Sequence, residues 1–461
     1  MRPTVPKLPP NCCCMTKRAI AAASIWCSSK NSGMCSRIAF QLNPQSLFLT
    51  VSVCFEALYM SCVIVSAKKL IGRIEPPPYK SEVIRLLILA GLCGIRPAEF
   101  VHLPNNCGED IKNAVIAVNE AFFNTDAESG KVSPLSVHVG ESATLLRLLL
   151  PSLLRRHSRV RFFAGSTLLE RNFDEFKSCL GCRIERHSEF IEFSRRAEHL
   201  PLYSCSAAES SQFASGMLIL LASETLSGSQ NEFFELEITN PSSRPYIELT
   251  LDVIRRFGCR IEPNDKSRYH LAHGTLRPPF GFPSAAVYSY DCSYAANFVA
   301  ANALGSEVCL PPPLNGEKKQ ADFAIRKFVF KDNIDISNSP DLFPILCILS
   351  CGKIGDTIIA GTARLRGKES DRVNAMLECI RSLGGSAECG ENNIIIHGTG
   401  TLCGGTVDSF HDHRIVMAAA IASLICSNPV VIRGFEAVNK SAPQFFNDFQ
   451  TLGGTVIEYV R

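Results

Sequence analysis

The side chains able to hold anions or move protons gather at six places in this chain, each where a long apolar run begins. Lys80, Ser81 and Arg85 open the first run, Ser142, Thr144 and Arg147 lie on the second, and Ser210, Ser211 and Gln212 open the third. Ser293 lies in the fourth, Asp341 in the fifth, and Asp412, His413 and Arg414 open the sixth. A helix start offers free N–H groups and about half a positive charge. Several starts aimed at one cavity make an anion site, and the added Lys and Arg point to phosphate and carboxylate ligands. Taken singly, these residues also have plainer readings. Asp341 caps the helix that follows it, as do Ser210 and Ser211. Glu369 is a solvated charge, Arg372 its i,i+3 partner, His413 packs or caps, and Lys80 and Lys440 are surface lysines.

The apolar runs read as helices. They are YKSEVIRLLILAGL (79–92), GESATLLRLLLPSLL (140–154), SSQFASGMLILLAS (210–223), CSYAANFVAANALG (292–305), SPDLFPILCILS (339–350) and DHRIVMAAAIASLI (412–425). Their length favours helix over strand, and helices apolar on most faces are buried. A second pattern is an amphipathic stretch that stops at Leu-Gly or Phe-Gly: FDEFKSCLG (173–181), LDVIRRFG (251–258), DRVNAMLECIRSLGG (371–385) and FFNDFQTLGG (445–454). Glycine there is a helix stop. Short β-branched runs such as NNIIIHG (392–398) and PVVIRGF (429–435) read as strands. The organisation is a loose repeat of about six αβ units.

The chain has 461 residues and a net charge of +3, with 46% hydrophobic and 20% charged residues. That balance excludes a disordered or collagen-like chain. It does not call for nucleic acid, which needs a strongly basic face. The 21 cysteines run from Cys12 to Cys426. The only C-x-x-C is Cys179–Cys182, without a second pair at zinc-finger spacing, so they read as small buried hydrophobes in a reducing compartment and no metal site is assigned. Residues 1–55 hold no Asp or Glu but several basic residues and many Ser. That is the composition of an organellar transit peptide, and also what a misplaced start codon produces. The apolar stretch 46–67 is long enough for a membrane span, but Glu56 in its middle opposes one. The fold is expected to begin near Met60, leaving 1–59 as an extension.

The motifs SSQF (210–213), SRPY (243–246), SPDLFP (339–344), KESDR (368–372), DHR (412–414) and VNKS (438–441) stand together in one order. From Met60 to Arg461 the chain resembles the 5-enolpyruvylshikimate-3-phosphate (EPSP) synthase family. The resemblance implies an α/β fold, a two-domain inside-out α/β barrel (the enolpyruvyl transferase fold) with three βαβαββ units in each domain. One domain is then 60–79 plus 290–461 and the other 80–289, with crossings at Tyr79–Lys80 and Ser289–Tyr290. The implied reaction transfers the enolpyruvyl group of phosphoenolpyruvate to the 5-hydroxyl of shikimate-3-phosphate and releases phosphate. This is a step of the shikimate pathway to chorismate and the aromatic amino acids, run without cofactor. It needs a base at the hydroxyl, an acid at C3 of phosphoenolpyruvate, and cations around two phosphates and two carboxylates.

Matched residue by residue, Asp341 stands at the family's base and Glu369 at the carboxyl that handles the C3 proton. Lys80 and Lys440 match lysines at the phosphoenolpyruvate end, Lys80 being counted with the catalytic residues. Arg372 and Arg414 match arginines on the phosphoenolpyruvate carboxylate and phosphate, and Gln212 reaches both substrates. Ser81, Arg85, Ser210, Ser211, Gln212, Ser243, Tyr246, Asp341 and Lys368 match the shikimate-3-phosphate pocket. The implied partners are these two substrates, with no nucleic acid and no membrane. The protein is expected to be a cytoplasmic monomer, or organellar if 1–59 is a transit peptide.

The sequence also departs from the family pattern. Ala143 replaces a usual Gly and Leu148 a common Pro, changes that go with reduced response to glyphosate. Leu168, or a deletion beside it, stands where the family has an arginine on phosphoenolpyruvate, with Arg171 as a partial substitute. Arg364 replaces an Asn, Ala442 an aromatic residue and Tyr79 a small one. Alternatives are a non-catalytic shikimate-3-phosphate-binding relative, a cysteine-rich metal-binding protein of another class, which the cysteine spacing disfavours, and a UDP-N-acetylglucosamine enolpyruvyl transferase. Members of that sister group use a loop cysteine, and none lies between Arg161 and Lys177.

Overall fold

The computed structural model describes residues 61–104, 107–124, 134–195, 202–226, 235–264, 267–279 and 288–459. The expected extension 1–59, the start at Met60 and most of the apolar stretch 46–67 lie outside them. Among the described residues, no helix is long and apolar enough to cross a membrane.

The chain enters through β1 (Cys62–Ser66), β2 (Ile71–Arg73), α1 (Lys80–Leu92) and α2 (Glu109–Phe123). A pattern then begins: β3 (Leu135–Gly140), α3 (Ala143–Arg156), β4 (Arg159–Ala164), α4 (Glu175–Cys179), β5 (Cys182–Arg186) and β6 (Phe190–Arg195). Its strands lie in the order β3-β4-β6-β5, the first pair parallel and the others antiparallel. The same βαβαββ order follows in β7 (Leu202–Ser206), α5 (Ser211–Ser223), β8 (Glu235–Thr239), α6 (Arg244–Arg256), β9 (Arg260–Pro263) and β10 (Arg268–His273). After α7 (Cys292–Ala303) and β11 (Glu307–Cys309), it recurs in β12 (Asn333–Asp335), α8 (Phe343–Cys351), β13 (Ile354–Ala360), α9 (Arg372–Ser382), β14 (Ser386–Cys389) and β15 (Asn393–Thr399). The last sheet takes β16 (Gly405–Asp408), β17 (Val430–Arg433) and β18 (Thr455–Tyr459), with α10 (His413–Ala422) and α11 (Phe445–Thr451) between them. It is completed by β1, antiparallel to both β17 and β18. The described residues thus hold four four-stranded sheets and a parallel β2–β11 pair, against the six units expected.

Local chemistry explains where the buried helices start. The Ser142 side chain accepts from Leu145 N, Ser210 from Gln212 N, Asp291 from Ser293 N and Tyr294 N, and Asp412 from Arg414 N. The expected glycine stops also fall at helix ends. At Gly384, after α9, φ is +84°, a conformation open to glycine at no steric cost.

Buried apolar side chains form two clusters. One runs from Val83 to Leu276. The other takes Val63, Val65, Leu70 and Ile74 together with residues from Tyr294 to Leu452. The chain passes between them where Tyr79 N donates to Ser289 O and Asp291 N to Pro77 O, both at 2.8 Å.

In the first cluster α3 and α5 approach closely. Pro151 inside α3 has no N–H to offer the Arg147 carbonyl one turn back. Against that carbonyl sits Gly216 of α5, where an added Cβ would stand 2.2 Å from the oxygen. Gly216→Ala is therefore expected to destabilise the protein by about 1–3 kcal/mol through overpacking. Gly367→Ala, whose Cβ meets nothing within 4 Å, should stay near neutral. Denaturant unfolding of both variants checks the contrast.

Candidate active site

All the candidate site residues except Arg372 line one cleft between the two buried clusters. From the side of the first cluster come Lys80 and Ser81 at the start of α1, Arg85 one turn on, Ser210, Ser211 and Gln212 around the start of α5, and Ser243 and Tyr246 around the start of α6. From the other side come Asp341, Lys368, Glu369, Arg414 at the start of α10, and Lys440. The space left between them is ≈ 80 Å³, room for several waters. Polar side chains bridge it: Tyr246 Oη to Asp341 Oδ2 at 3.5 Å, Lys440 Nζ to the Glu141 carbonyl at 2.6 Å, and Arg171 to Glu369 at 3.8 Å.

Asp341 lies in the short turn Pro340–Leu342 before α8 and makes no cap. Instead its oxygens accept from Arg372 Nη1 at 2.8 Å and Arg414 Nη2 at 2.7 Å. Burial opposes its charge, but Arg414 and then Arg372 outweigh burial and hold it well below the usual carboxylate range. Glu369 accepts from Arg372 Nη2 at 2.7 Å. Burial again works against its charge, and Arg372 with Arg171 depresses its pKa strongly.

Arg372 departs from expectation. It does not line the cleft; it is 1% exposed, behind the carboxylates. Its Nε donates to Asp412 at 2.7 Å, and its remaining nitrogens serve Asp341 and Glu369. The plainer i,i+3 reading is therefore the observed one. Three carboxylates drawn from separate segments hold the guanidinium inward.

Lys80 and Lys440 meet at a residue the sequence reading passed over, Asp110 in the first turn of α2, at 2.9 and 3.5 Å. Burial works against the Asp110 charge, but these lysines keep it below the usual range. Its only sequence signal is an acidic residue in a helix's first turn.

Other cations have no such partner. Among the described residues no carboxylate pairs with Arg85, whose guanidinium donates to the Thr250 hydroxyl, the Ser81 carbonyl and the Ser215 hydroxyl. Burial lowers its pKa to about 10. Among the described residues Lys368 likewise has no ion pair, and burial brings its pKa down to about 8 despite the charge of Asp341. Arg364, from the position where an Asn was expected, donates to the Ser242 and Ser243 hydroxyls at 2.9 and 3.2 Å. Ser243 has φ +49°, rare for a side-chain-bearing residue and suggestive of a functional constraint. His413 is buried with neither ring nitrogen bonded. Burial, then Lys80 and Arg414, push its pKa far down, so it stays neutral.

Leu168 is fully buried in the first apolar cluster. Arg171, three residues on, lines the cleft instead. Arg147 also reaches the wall, donating to Gln212 Oε1 at 3.0 Å with its guanidinium over Phe213.

Buried carboxylates locked by arginines, facing cations that lack carboxylate partners and several helix starts, are what an α/β enzyme for small, multiply anionic substrates requires. The chain matches the sequence profile of EPSP synthase (3-phosphoshikimate 1-carboxyvinyltransferase) over residues 65–323 and 314–449, and it belongs to that family. Curated relatives named 3-phosphoshikimate 1-carboxyvinyltransferase include those of Clostridium novyi, 30% identical over 87% of this chain and 99% of the relative, and Clostridium perfringens, 30% identical over 87% and 100%. Among solved structures, EPSP synthase from Acinetobacter baumannii is similar with a TM-score of 0.64, 21% identity and coverage of 87% of this chain and all of that one. The enolpyruvyl transferase NikO from Streptomyces tendae gives 0.62 and 14%, over 87% of this chain and 99% of that one. These likenesses establish the enolpyruvyl transferase fold.

A second buried carboxyl, beside the cleft, was also missed from sequence. Asp322 is 2% exposed and accepts from the Ser293 hydroxyl, while its Oδ1 has no partner. Burial, then the charge of Asp341, pushes its pKa up to about 7. The folded protein therefore keeps a proton here that the unfolded chain loses near pH ~4. The stabilisation is full below that pH and is lost as pH rises through about 7. Thermal unfolding from about pH 5 to 8.5 should show wild-type stability falling up to about pH 7 and levelling above it, with a flatter profile in Asp322→Asn.

Proposed function

We propose that this protein is an EPSP synthase, a transferase that joins the enolpyruvyl group of phosphoenolpyruvate to the 5-hydroxyl of shikimate-3-phosphate and releases phosphate. The observation that carries the reading is the split among the cleft cations. Arg85 and Lys368 lack carboxylate partners among the described residues, whereas Arg414, Lys80 and Lys440 are paired with Asp341 and Asp110. A phosphate approaches the first group without competing with a carboxylate. A second anion enters the other group by competing with the carboxylates.

In this reading shikimate-3-phosphate takes Ser81, Arg85, Ser210, Ser211, Gln212, Ser243, Tyr246 and Lys368. Phosphoenolpyruvate takes Lys80, Gln212, Arg414, Lys440 and Arg171, the last in place of the arginine the family has near Leu168. Arg372 acts from behind, orienting Asp341 and Glu369. Asp341 accepts the proton of the attacking hydroxyl, Glu369 delivers a proton to C3, and phosphate leaves the tetrahedral intermediate. Both carboxyls are too acidic for this while arginines saturate them. A substrate anion that draws on Arg414 and Arg171 weakens that hold and raises both pKa values toward the working range. Binding and acid–base competence are thereby coupled.

The two apolar clusters support division into domains 60–79 plus 290–461 and 80–289, joined by the paired crossings at Tyr79 and Ser289. The protein is read as a cytoplasmic monomer needing no cofactor.

Purified full-length protein given both substrates should release phosphate, and omitting either should abolish release. Asp341→Ala and Glu369→Gln should each lower kcat by about 10²–10⁴-fold. Absence of turnover in folded wild-type protein would refute the reading. Arg171→Ala should raise KM for phosphoenolpyruvate about ten- to a hundredfold, the loss of one charge-assisted hydrogen bond, with KM for shikimate-3-phosphate nearly unchanged. Ala143, buried at the start of α3 in the cleft wall, adds a methyl at the phosphoenolpyruvate end. Weak inhibition by glyphosate is expected, and Ala143→Gly should strengthen it.

A further inference from the structure

Behind the cleft wall, three side chains with metal-ligating atoms converge from two elements. Glu175 and Cys179 begin and end α4, one turn apart and hence on one face. Cys205 comes from β7. The two sulfurs and a Glu175 carboxylate oxygen all lie within 4.8 Å of one another. Met217 of α5 closes the far side, its thioether 3.9 Å from Cys179 Sγ. Cys179, Cys205 and Met217 are 2%, 0% and 1% exposed, and Glu175 is half-buried. One Glu175 oxygen accepts from Ser206 N at 2.6 Å, which fixes the carboxylate over the strand that carries Cys205.

We propose that Glu175, Cys179 and Cys205 bind one zinc(II) ion. Tetrahedral zinc with bonds of ~2.1–2.3 Å sets its ligand atoms roughly 3.5–4 Å apart, so a small contraction of the observed cluster suffices, with a water on the half-buried Glu175 side as the fourth ligand. The donor set suits zinc, which accepts thiolate and carboxylate together. Two thiolates balance the dipositive charge in the buried half of the site, and the carboxylate sits toward solvent. On binding, two S–Zn bonds form and the two thiol protons leave to water, with no redox change. Because both thiols must lose their protons to bind the ion, affinity should climb with pH. Cys182, the second cysteine of the C-x-x-C, takes no part; its thiol donates to the Phe176 carbonyl at 3.2 Å.

The location gives the ion a consequence. α4 follows the segment that carries Arg171 into the cleft and whose Asn172 carbonyl accepts from Arg147. Cys205 lies just before the Ser210–Gln212 start of α5. An ion here fastens two cleft-lining segments to each other from behind.

The reduced full-length chain, without substrates, is titrated with zinc against a chromophoric chelator and with cobalt(II) followed by absorption. The wild type should take up one tight equivalent, show thiolate-to-cobalt charge transfer, and gain thermal stability with zinc. Cys205→Ser should lose all three, while Cys403→Ser, at an exposed cysteine, should keep them. If Cys205→Ser does not fold, Glu175→Gln at a half-buried site should fold and bind zinc at least tenfold more weakly. Equal uptake by wild type and Cys205→Ser, no uptake by wild type, or a cobalt complex without charge transfer overturns the proposal. Since no substrate is present, failure here leaves the transferase reading standing.

Discussion

The arrangement of this cleft depends on one buried guanidinium. Arg372 is 1% exposed and bonded to Asp341, Glu369 and Asp412. Each carboxylate comes from a different segment: the turn before α8, the loop before α9, and the start of α10, which Asp412 also caps. Burying these charges is costly, and removing one partner of such a network typically costs about 3–5 kcal/mol because the others are left uncompensated. The network fixes the second-cluster side of the cleft and keeps the proposed base and acid ionised.

That electrostatic frame explains why the cations on the two sides differ. Where carboxylates are near, lysines and arginines pair with them, as Lys80 and Lys440 do with Asp110. Where only hydroxyls and carbonyls are near, as around Arg85, the cation keeps an unbalanced field and a lowered pKa. Such groups interact strongly with an arriving anion. Neutral His413 sits among them, so it adds no repulsion to the cations.

Packing behind the cleft is as exacting as the polar surface. The Arg147 guanidinium lies over Phe213 and bonds Gln212, while its backbone carbonyl faces Gly216 on the next turn of the same helix. The side chain that shapes the cleft wall and the backbone contact that lets α3 and α5 approach thus belong to one residue. A movement of α5 changes both.

The sequence by itself determined the helix starts and stops. Caps such as Ser142, Ser210 and Asp412 bond N–H groups within three residues, and Leu-Gly stops act through local backbone conformation, so both are legible without tertiary contacts. It also determined most of the cleft residues, because helix starts collect polar groups at their N-terminal ends and the ordered motifs identify the family. Only the tertiary structure decided the partners. Asp110 joins Lys80 to Lys440, Arg372 turns inward and leaves the cleft to Arg414, and Leu168 enters the core while Arg171 faces Glu369. Cys179 meets Cys205 and Glu175, and Cys182 bonds a carbonyl. The physical reason is separation along the chain. Lys440 contacts Glu141 across 299 residues, and a contact of that span is set by how sheets and helices pack, which no local pattern encodes.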